Sequence, residues 1–270
     1  MDYRDSVDLS DSRTQRASGG GGGGRMALGG GVGGLVLMLL VVFVGPRFGI
    51  NVSDLLGSSS GQDTQPAVQG SDLDHCKQKD VNVNTNRECR WLLYEKVLQS
   101  YWSKTATNYK YATVKLFSGT INTACGVGQT EMGPFYCSGD STVYIDDSYV
   151  GQLLKQLGAS GGDAAELYIV AHEFGHHIQN LDGTMRKVTR GTGADSAQVR
   201  LELQADCYAG VVFNQVMKDS NSPIKAVSKD DLLRIADAAR SVGDDHIQKQ
   251  QGGFVNPESW THGSSEQRQR

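Results

Sequence analysis

Residues 163–180, with the sequence DAAELYIVAHEFGHHIQN, decide the fold. Apolar residues recur along this stretch at helical spacing. Asp163 and Glu166 stand at its start, where acidic side chains favour the positive end of a helix dipole. Residues 172–176 within it read H-E-x-x-H. Histidines four residues apart lie on one face of a helix, so both imidazoles can reach one zinc ion.

Glu173 is the residue of this pattern that we predict to act as the catalytic base. It follows His172 directly and points to the side of the two histidines, within reach of a water held by a metal at His172 and His176. A charged face in contact with solvent is the alternative for such a pattern. The apolar flanks argue against it, because burying three ionisable groups costs free energy unless a metal or hydrogen bonds satisfy them.

A third protein ligand is expected from another segment, with the fourth zinc position left open for water. Glu202 and Asp206 have the spacing E-x-x-x-D on a second predicted helix and lie on one face of it. We predict that Glu202 completes the ligand set, and that Asp206 accepts a hydrogen bond from a ligand imidazole and so orients the ring. An exposed helix face shared with Arg200 is the alternative. The apolar run at 207–213, CYAGVVF, favours the metal site.

The N-terminal part of the chain differs in composition from the rest. Residues 1–25 are polar and Gly-rich without periodicity, so we predict a disordered tail. Residues 26–45 carry no charge and are long enough to cross a bilayer as one helix. Residues 46–72 have the composition of a flexible linker, and residues 73–270 are the predicted folded domain.

The arrangement of charges around residues 26–45 predicts the membrane topology. Arginines are more frequent before this segment than directly after it. The positive-inside rule then predicts a single-pass inner-membrane protein, with the N-terminus in the cytoplasm and the domain outside it. A cleaved signal peptide is a poorer match, because the preceding region is long and no A-x-A site follows. The net charge of −4 argues against nucleic-acid binding, which is typical of chains with clustered Lys and Arg.

Four of the five cysteines fall into two local groups, Cys76 with Cys89 and Cys125 with Cys137. In an exported domain they would form two short-range disulfides. The alternative is that all five are small buried thiols. Cys207 is the odd cysteine, and its neighbours predict a buried position on a helix.

The remaining pattern predicts an α+β domain that is mostly helical with a small β-sheet. Alternating residues at 112–118 and 142–146 predict strands, and either could be the edge on which an extended peptide docks by adding a strand. Residues 126–139 have the composition of a Gly-rich loop, and the tail from residue 252 is predicted to be irregular. Helices are predicted at 87–102, 147–157, 163–180, 196–219 and 228–242.

Taken together, these blocks resemble the bacterial neutral zinc metallopeptidases of the gluzincin type. The resemblance covers roughly residues 26–270, including the apolar segment. It implies a zincin-like fold, one Zn²⁺ per chain, and endopeptidase activity on a protein or peptide substrate. The matching blocks are TACG at 123–126, GPFYC at 133–137, HEFGHHIQ at 172–179, ELQADCYAG at 202–210 and THGSSEQR at 261–268.

Peptide hydrolysis would also need a hydrogen-bond donor for the tetrahedral oxyanion. His262, His246, Tyr208 and Tyr168 are the candidates, and we favour His262 because it lies in a matching block beyond the core helices. His177 points about 100° away from His176 on the helix, which favours a structural role.

Three other functions share parts of this pattern. A catalytically inactive, membrane-tethered protein with the same fold would bind partners without cleaving them. The intact Glu173 argues against it, because a scaffold has no need of a base. A non-proteolytic zinc hydrolase would use the same activation of water, and a purely structural interaction domain would make the pattern coincidental.

Overall fold

The computed structural model describes residues 1–17, 73–189 and 191–270. Within them the chain forms an α+β fold, which confirms the predicted class. The strands are β1 (Asp2–Tyr3), β2 (Thr14–Arg16), β3 (Thr113–Leu116), β4 (Thr120–Thr123), β5 (Gly126–Gln129), β6 (Phe135–Cys137), β7 (Thr142–Ile145) and β8 (Ile224–Ala226). The helices are α1 (Arg87–Thr105), α2 (Val150–Gln156), α3 (Asp163–Leu181), α4 (Thr184–Lys187), α5 (Ala197–Lys218), α6 (Lys229–Ser241), α7 (Asp244–Gly252) and α8 (Ser265–Gln269).

The main sheet has four strands in the order β2-β3-β7-β6. The first three are parallel, and β6 runs antiparallel to β7 at the edge beside α3. The strands predicted at 112–118 and 142–146 are therefore interior strands, β3 and β7, and the prediction that either is a docking edge is wrong. Both lose their free edges because β2 and β6 pair with their outer sides. Two smaller sheets join β4 to β5 and β1 to β8.

Helix α3 lies at the centre of the domain. Its side chains are buried along most of its length, and it packs against α5, α6, α1 and β6. An apolar helix of this kind is stable only when other elements cover all of its faces. The large buried side chains of α1, Trp91, Leu92, Leu93 and Tyr94, supply much of the core beneath it.

Residues 1–17 belong to the folded domain, so the predicted disordered tail at 1–25 is wrong for them; residues 18–25 lie outside the described residues. β1 pairs with β8, and β2 pairs with β3. Tyr3 and Leu9 are 1% and 0% exposed. Composition misled the prediction because this polar segment uses its few apolar side chains for burial and takes its backbone partners from strands distant in the chain.

The predicted transmembrane helix at 26–45 and the linker at 46–72 lie outside the described residues. Within the part of the chain that the structure describes, no helix is long and apolar enough to span a membrane.

The two predicted cysteine groups form disulfides, Cys76–Cys89 and Cys125–Cys137. Cys207 is exposed on α5, so its predicted burial is wrong. Within the apolar run, Ala209, Val212 and Phe213 are on the buried face of α5, whereas Cys207 lies on the face turned to solvent.

Two regions predicted to be irregular contain regular structure. Residues 126–139, predicted as a loop, include β5, β6 and one turn of 3₁₀ helix. The tail beyond residue 252 forms another 3₁₀ turn and ends in α8. Ser264 and Gln267 form a capping box at the start of α8, a signal that was readable in the sequence. Helix α8 matters for the site because it carries Arg268.

Candidate active site

Three predicted metal ligands converge between α3 and α5. The Nε2 atoms of His172 and His176 lie 3.1 Å apart. Glu202 Oε2 lies 3.1 Å from Nε2 of His172 and 3.5 Å from Nε2 of His176. A tetrahedral zinc with bonds of about 2.0–2.1 Å holds its ligand atoms about 3.3 Å apart, so the three atoms have the spacing that zinc requires. All three side chains are buried.

The close approach of α3 and α5 depends on Gly175. A Cβ atom built on Gly175 would lie 2.9 Å from the Cα atom of Ala205 and 3.0 Å from its carbonyl oxygen. Real Cβ atoms essentially never come that close to backbone, so a side chain here would force the helices apart. The glycine inside H-E-x-x-H therefore brings Glu202 within reach of the histidines.

The Nε2 atoms of His172 and His176 and Oε2 of Glu202 are called the ligand cluster below. Asp206 holds the ring of His172 from the side opposite this cluster. Its Oδ1 lies 2.7 Å from Nδ1 of His172, as predicted for a carboxylate that orients a ligand imidazole. The Tyr168 hydroxyl donates to the same oxygen at 2.5 Å. The Arg268 guanidinium donates to both carboxylate oxygens, at 2.8 and 2.9 Å. Burial alone would raise the pKa of Asp206, but Arg268 and His172 hold it below its usual range.

Arg268 is a site residue that no local sequence pattern indicates. Its side chain is 4% exposed, and it pairs with Asp206, 62 residues earlier in the chain. The matching block at 261–268 and the capping box that starts α8 were the available signals. Neither says which carboxylate the arginine meets.

Gln179 orients the other histidine, and it was also not assigned. Its Oε1 lies 2.8 Å from Nδ1 of His176, while its Nε2 donates to the backbone oxygen of Leu201 at 2.7 Å. The amide is thus held by α5, and His176 is held with Nε2 turned toward the ligand cluster. Gln179 lies three residues after His176 in the same block, and this position is the sequence feature that could have indicated its role.

Glu173 lines the same cleft as the three ligands and is 8% exposed. Burial raises its pKa, with His176 and His172 acting in the opposite direction. For Glu202, burial would also raise the pKa, but the facing histidines bring it well below its usual range. The two glutamates therefore differ in proton affinity. Glu202 favours the anionic form that binds a cation, and Glu173 holds a proton more readily.

His262 also lines this cleft. Asp244 holds it in place: its Oδ1 lies 3.2 Å from Nδ1 of His262. The other carboxylate oxygen accepts the backbone N–H groups of Thr261, His262 and Gly263 at 2.7, 2.7 and 3.1 Å. Asp244 was not assigned from the sequence, and it stands at the first position of α7, a helix that was not predicted. It anchors the segment that carries His262 over the site.

The other oxyanion candidates are less well placed. Tyr168 lines the cleft, but its hydroxyl is committed to Asp206. His246 Nε2 contacts the backbone oxygen of Leu157 at 2.8 Å, and Tyr208 packs edge-to-face on Trp102.

His177 is buried and makes contacts away from the ligand atoms of His172 and His176. It is 0% exposed, and its ring nitrogens contact the Tyr136 hydroxyl at 3.0 Å and the Lys110 backbone oxygen at 2.6 Å. Burial lowers its pKa. The neutral ring therefore links α3 to neighbouring segments.

Within the described residues, one other group of side chains could converge on a metal: His75, Cys76 and Cys89. Its two sulfur atoms are joined in a disulfide, so they are not free to act as thiolate ligands.

The cleft beside the ligand cluster has a volume of about 130 Å³. Its wall away from the ligands is largely apolar, which suits it to an apolar side chain. The apolar wall residues include Met132, Leu153, Leu157, Ile169, Met185, Val242 and Ile247.

Two buried histidines and a glutamate converge at a spacing compatible with zinc, with a second glutamate lining the same cleft, which is the arrangement typical of zinc-dependent hydrolases. The chain belongs to the family described as "Putative neutral zinc metallopeptidase", whose model matches residues 1–270. This confirms the family that the sequence blocks suggested.

Two relatives are similar to this chain over most of its length. Over 230 aligned residues the chain is 39% identical to the Mycobacterium tuberculosis protein Rv2575. The aligned region covers 82% of this chain and 78% of Rv2575. Over 238 residues the chain is 35% identical to Escherichia coli YpfJ, covering 85% of this chain and 78% of that protein. Both relatives carry the name "Uncharacterized protein". No solved structure matches the chain.

Proposed function

We propose that the protein is a zinc-dependent endopeptidase with a zincin-like fold that binds one Zn²⁺ through His172, His176 and Glu202. The observation that carries this proposal is the convergence of these three ligand atoms in a buried cleft that Glu173 also lines. Three ionisable groups packed this closely in an apolar domain are costly unless a cation offsets their desolvation.

When bound, zinc supplies Lewis acidity that polarises the scissile carbonyl and makes water more acidic. The protein's own residues do the rest of the work in this proposal. Glu173 takes a proton from the attacking water and passes it to the leaving amine. His262, held by Asp244, donates a hydrogen bond to the oxyanion that develops on the carbonyl. Asp206 and Gln179 keep the two ligand rings in their tautomers.

Removal and return of the metal test this proposal. Treating the purified protein with a strong chelator is expected to abolish cleavage of an unfolded casein-type substrate, because the cleft then lacks its electrophile. Adding back one equivalent of Zn²⁺ is expected to restore the activity, whereas Mg²⁺ is not, since it favours oxygen ligands. Mass spectrometry should find one zinc per chain before treatment. A protein that purifies without zinc and does not bind it would refute the site.

The edge strand β6 is the most suitable place for an extended substrate. It lies at the outer edge of the main sheet and contacts α3. Gly133, Pro134, Phe135 and Tyr136 bring this edge to the rim of the cleft. We propose that a peptide pairs with β6 and so presents its carbonyl to the site, because β6 is the last strand of the sheet and no described strand pairs with its other edge.

The apolar wall predicts cleavage beside a large apolar residue. A cleft of about 130 Å³ is close to the size of an engineered cavity that accepts benzene, so a leucine or phenylalanine side chain fits it. A peptide library should be cut beside such residues, and charged ones should be rejected because the wall cannot solvate them. Leu153→Ala widens the cleft and is expected to favour aromatic over leucine sites by roughly 10-fold.

Leu233→Ala is the matched control for that variant, because Leu233 is 60% exposed on α6. It should leave the cleavage preference unchanged. If Leu153→Ala cleaved the same peptides in the same ratios as the unchanged protein, this cleft would not be the side-chain pocket.

We also propose that the domain works outside the cytoplasm and contacts the inner membrane through residues 26–45. The two disulfides support an oxidising compartment. The uncharged, apolar composition of residues 26–45 supports the membrane contact.

A further inference from the structure

Residues 1–17 are joined to the domain by backbone pairing at three places. β2 lies parallel to β3, with Thr14, Gln15 and Arg16 opposite Val114, Lys115 and Leu116. Val7 and Val81 form an antiparallel bridge. β1 pairs with β8, which follows α5. These contacts spread along the whole segment, so it forms part of the fold and not a loosely attached arm.

Side chains strengthen the same junctions. The Tyr3 hydroxyl contacts the Tyr94 hydroxyl and an oxygen of Asp163, both at 3.2 Å, and so reaches the first residue of the helix that carries the metal ligands. The buried Glu95 carboxylate accepts the Ser12 hydroxyl at 2.8 Å. Without residues 1–17, buried polar groups such as Glu95 would lose partners.

The side chain of Arg16 makes further contacts near the end of residues 1–17. Its guanidinium donates to both oxygens of Asp147, at 3.1 and 3.0 Å, and to Glu88. Ala17 then donates its backbone N–H to the Leu116 oxygen at 2.8 Å. The pairing therefore continues to Ala17, nine positions before residue 26.

We infer that residues 1–17 lie on the same side of the membrane as residues 73–189 and 191–270, because together they form one folded unit. A single crossing would put β2 and β3 on opposite sides of a hydrocarbon layer about 30 Å thick, where they cannot share hydrogen bonds. Residues 26–45 are long enough for one helical crossing, and a return crossing would need as many apolar residues again. The single-pass topology predicted from the arginines conflicts with this packing.

Cysteine labelling of the full chain in inner-membrane preparations tests the side of each part. The probes are Ser10→Cys in the N-terminal segment and Ser118→Cys after β3, both at exposed positions, in a chain with Cys207→Ser. A membrane-impermeant maleimide is added to intact spheroplasts and to inverted vesicles. We expect both cysteines to react in the same preparation and to be protected in the other. Labelling from opposite sides would overturn the inference.

A crosslink tests the pairing itself. Gln15 and Lys115 are register partners in β2 and β3, so Gln15→Cys with Lys115→Cys should form a disulfide under mild oxidation in the membrane-bound full chain. The control pair, Gln15→Cys with the exposed Lys249→Cys, should not. Absence of the first crosslink in protein that still unfolds cooperatively would refute the pairing. Neither readout depends on zinc or on peptide cleavage, so the proposed function is tested separately.

Discussion

Glu173→Gln is expected to keep its zinc and to lose cleavage of an unfolded casein-type substrate by about 10²- to 10⁴-fold. The amide has almost the same shape as the carboxylate but does not accept a proton from the attacking water. The three proposed ligand side chains are untouched, so zinc content measured by mass spectrometry should stay at one per chain. Activity would thus be separated from metal binding in a single variant.

Glu258→Gln is the matched control, since it makes the same change at an exposed carboxylate distant in the chain from H-E-x-x-H. It should cleave as the unchanged protein does. If Glu173→Gln cleaved as fast as the control, Glu173 would not be the base. If the unchanged protein bound zinc but cleaved no substrate, the better interpretation would be a catalytically inactive binding protein with the same fold.

Glu202→Ala is expected to abolish stoichiometric zinc binding, because it removes the anionic ligand of a set of three. Asp206→Ala should weaken zinc binding less, by about 10- to 100-fold, because the ligands remain and only the support of His172 is lost. Competition with a chromophoric chelator measures both affinities. Asp195→Ala, at an exposed carboxylate just before α5, should leave zinc affinity unchanged.

Asp206→Ala also leaves the buried Arg268 without its carboxylate, and loss of one partner of a buried ion pair costs about 3–5 kcal/mol. Thermal unfolding in excess chelator separates that loss of stability from the loss of zinc affinity. Asp206→Asn keeps an oxygen beside His172 and should retain more zinc than the alanine variant. If Asp206→Ala lost zinc more completely than Glu202→Ala, the roles assigned to these two residues would be exchanged.

Local patterns were sufficient where the governing contacts lie close together in the chain. His172 and His176 share a helix, and so do Glu202 and Asp206, so helical spacing alone placed each pair on one face. The cysteine groups, too, join residues only 13 and 12 positions apart. In each case the geometry is set by a few residues of backbone, which sequence spacing describes well.

Contacts between distant segments do not follow from the spacing of residues along the chain. Arg268 meets Asp206 across 62 residues, and β2 meets β3 across about a hundred. Asp244 supports His262 from a helix that the pattern did not predict. Nothing in the local spacing says which carboxylate an arginine will find, or which strand a short polar segment will pair with.

The sequence by itself determined the helix of residues 163–180, the shared helix faces of His172 with His176 and of Glu202 with Asp206, and the family. It also indicated the two cysteine groups, and the structure joined each of them in a disulfide. Only the tertiary structure decided how these parts meet. Gly175 lets α5 approach α3 until Glu202 stands opposite the histidines. The sheet edge beside the cleft is β6, because β2 is the strand at the opposite edge of the sheet. Helical and strand periods follow from backbone geometry, whereas the approach of two elements depends on side-chain shape and on partners far away in the chain.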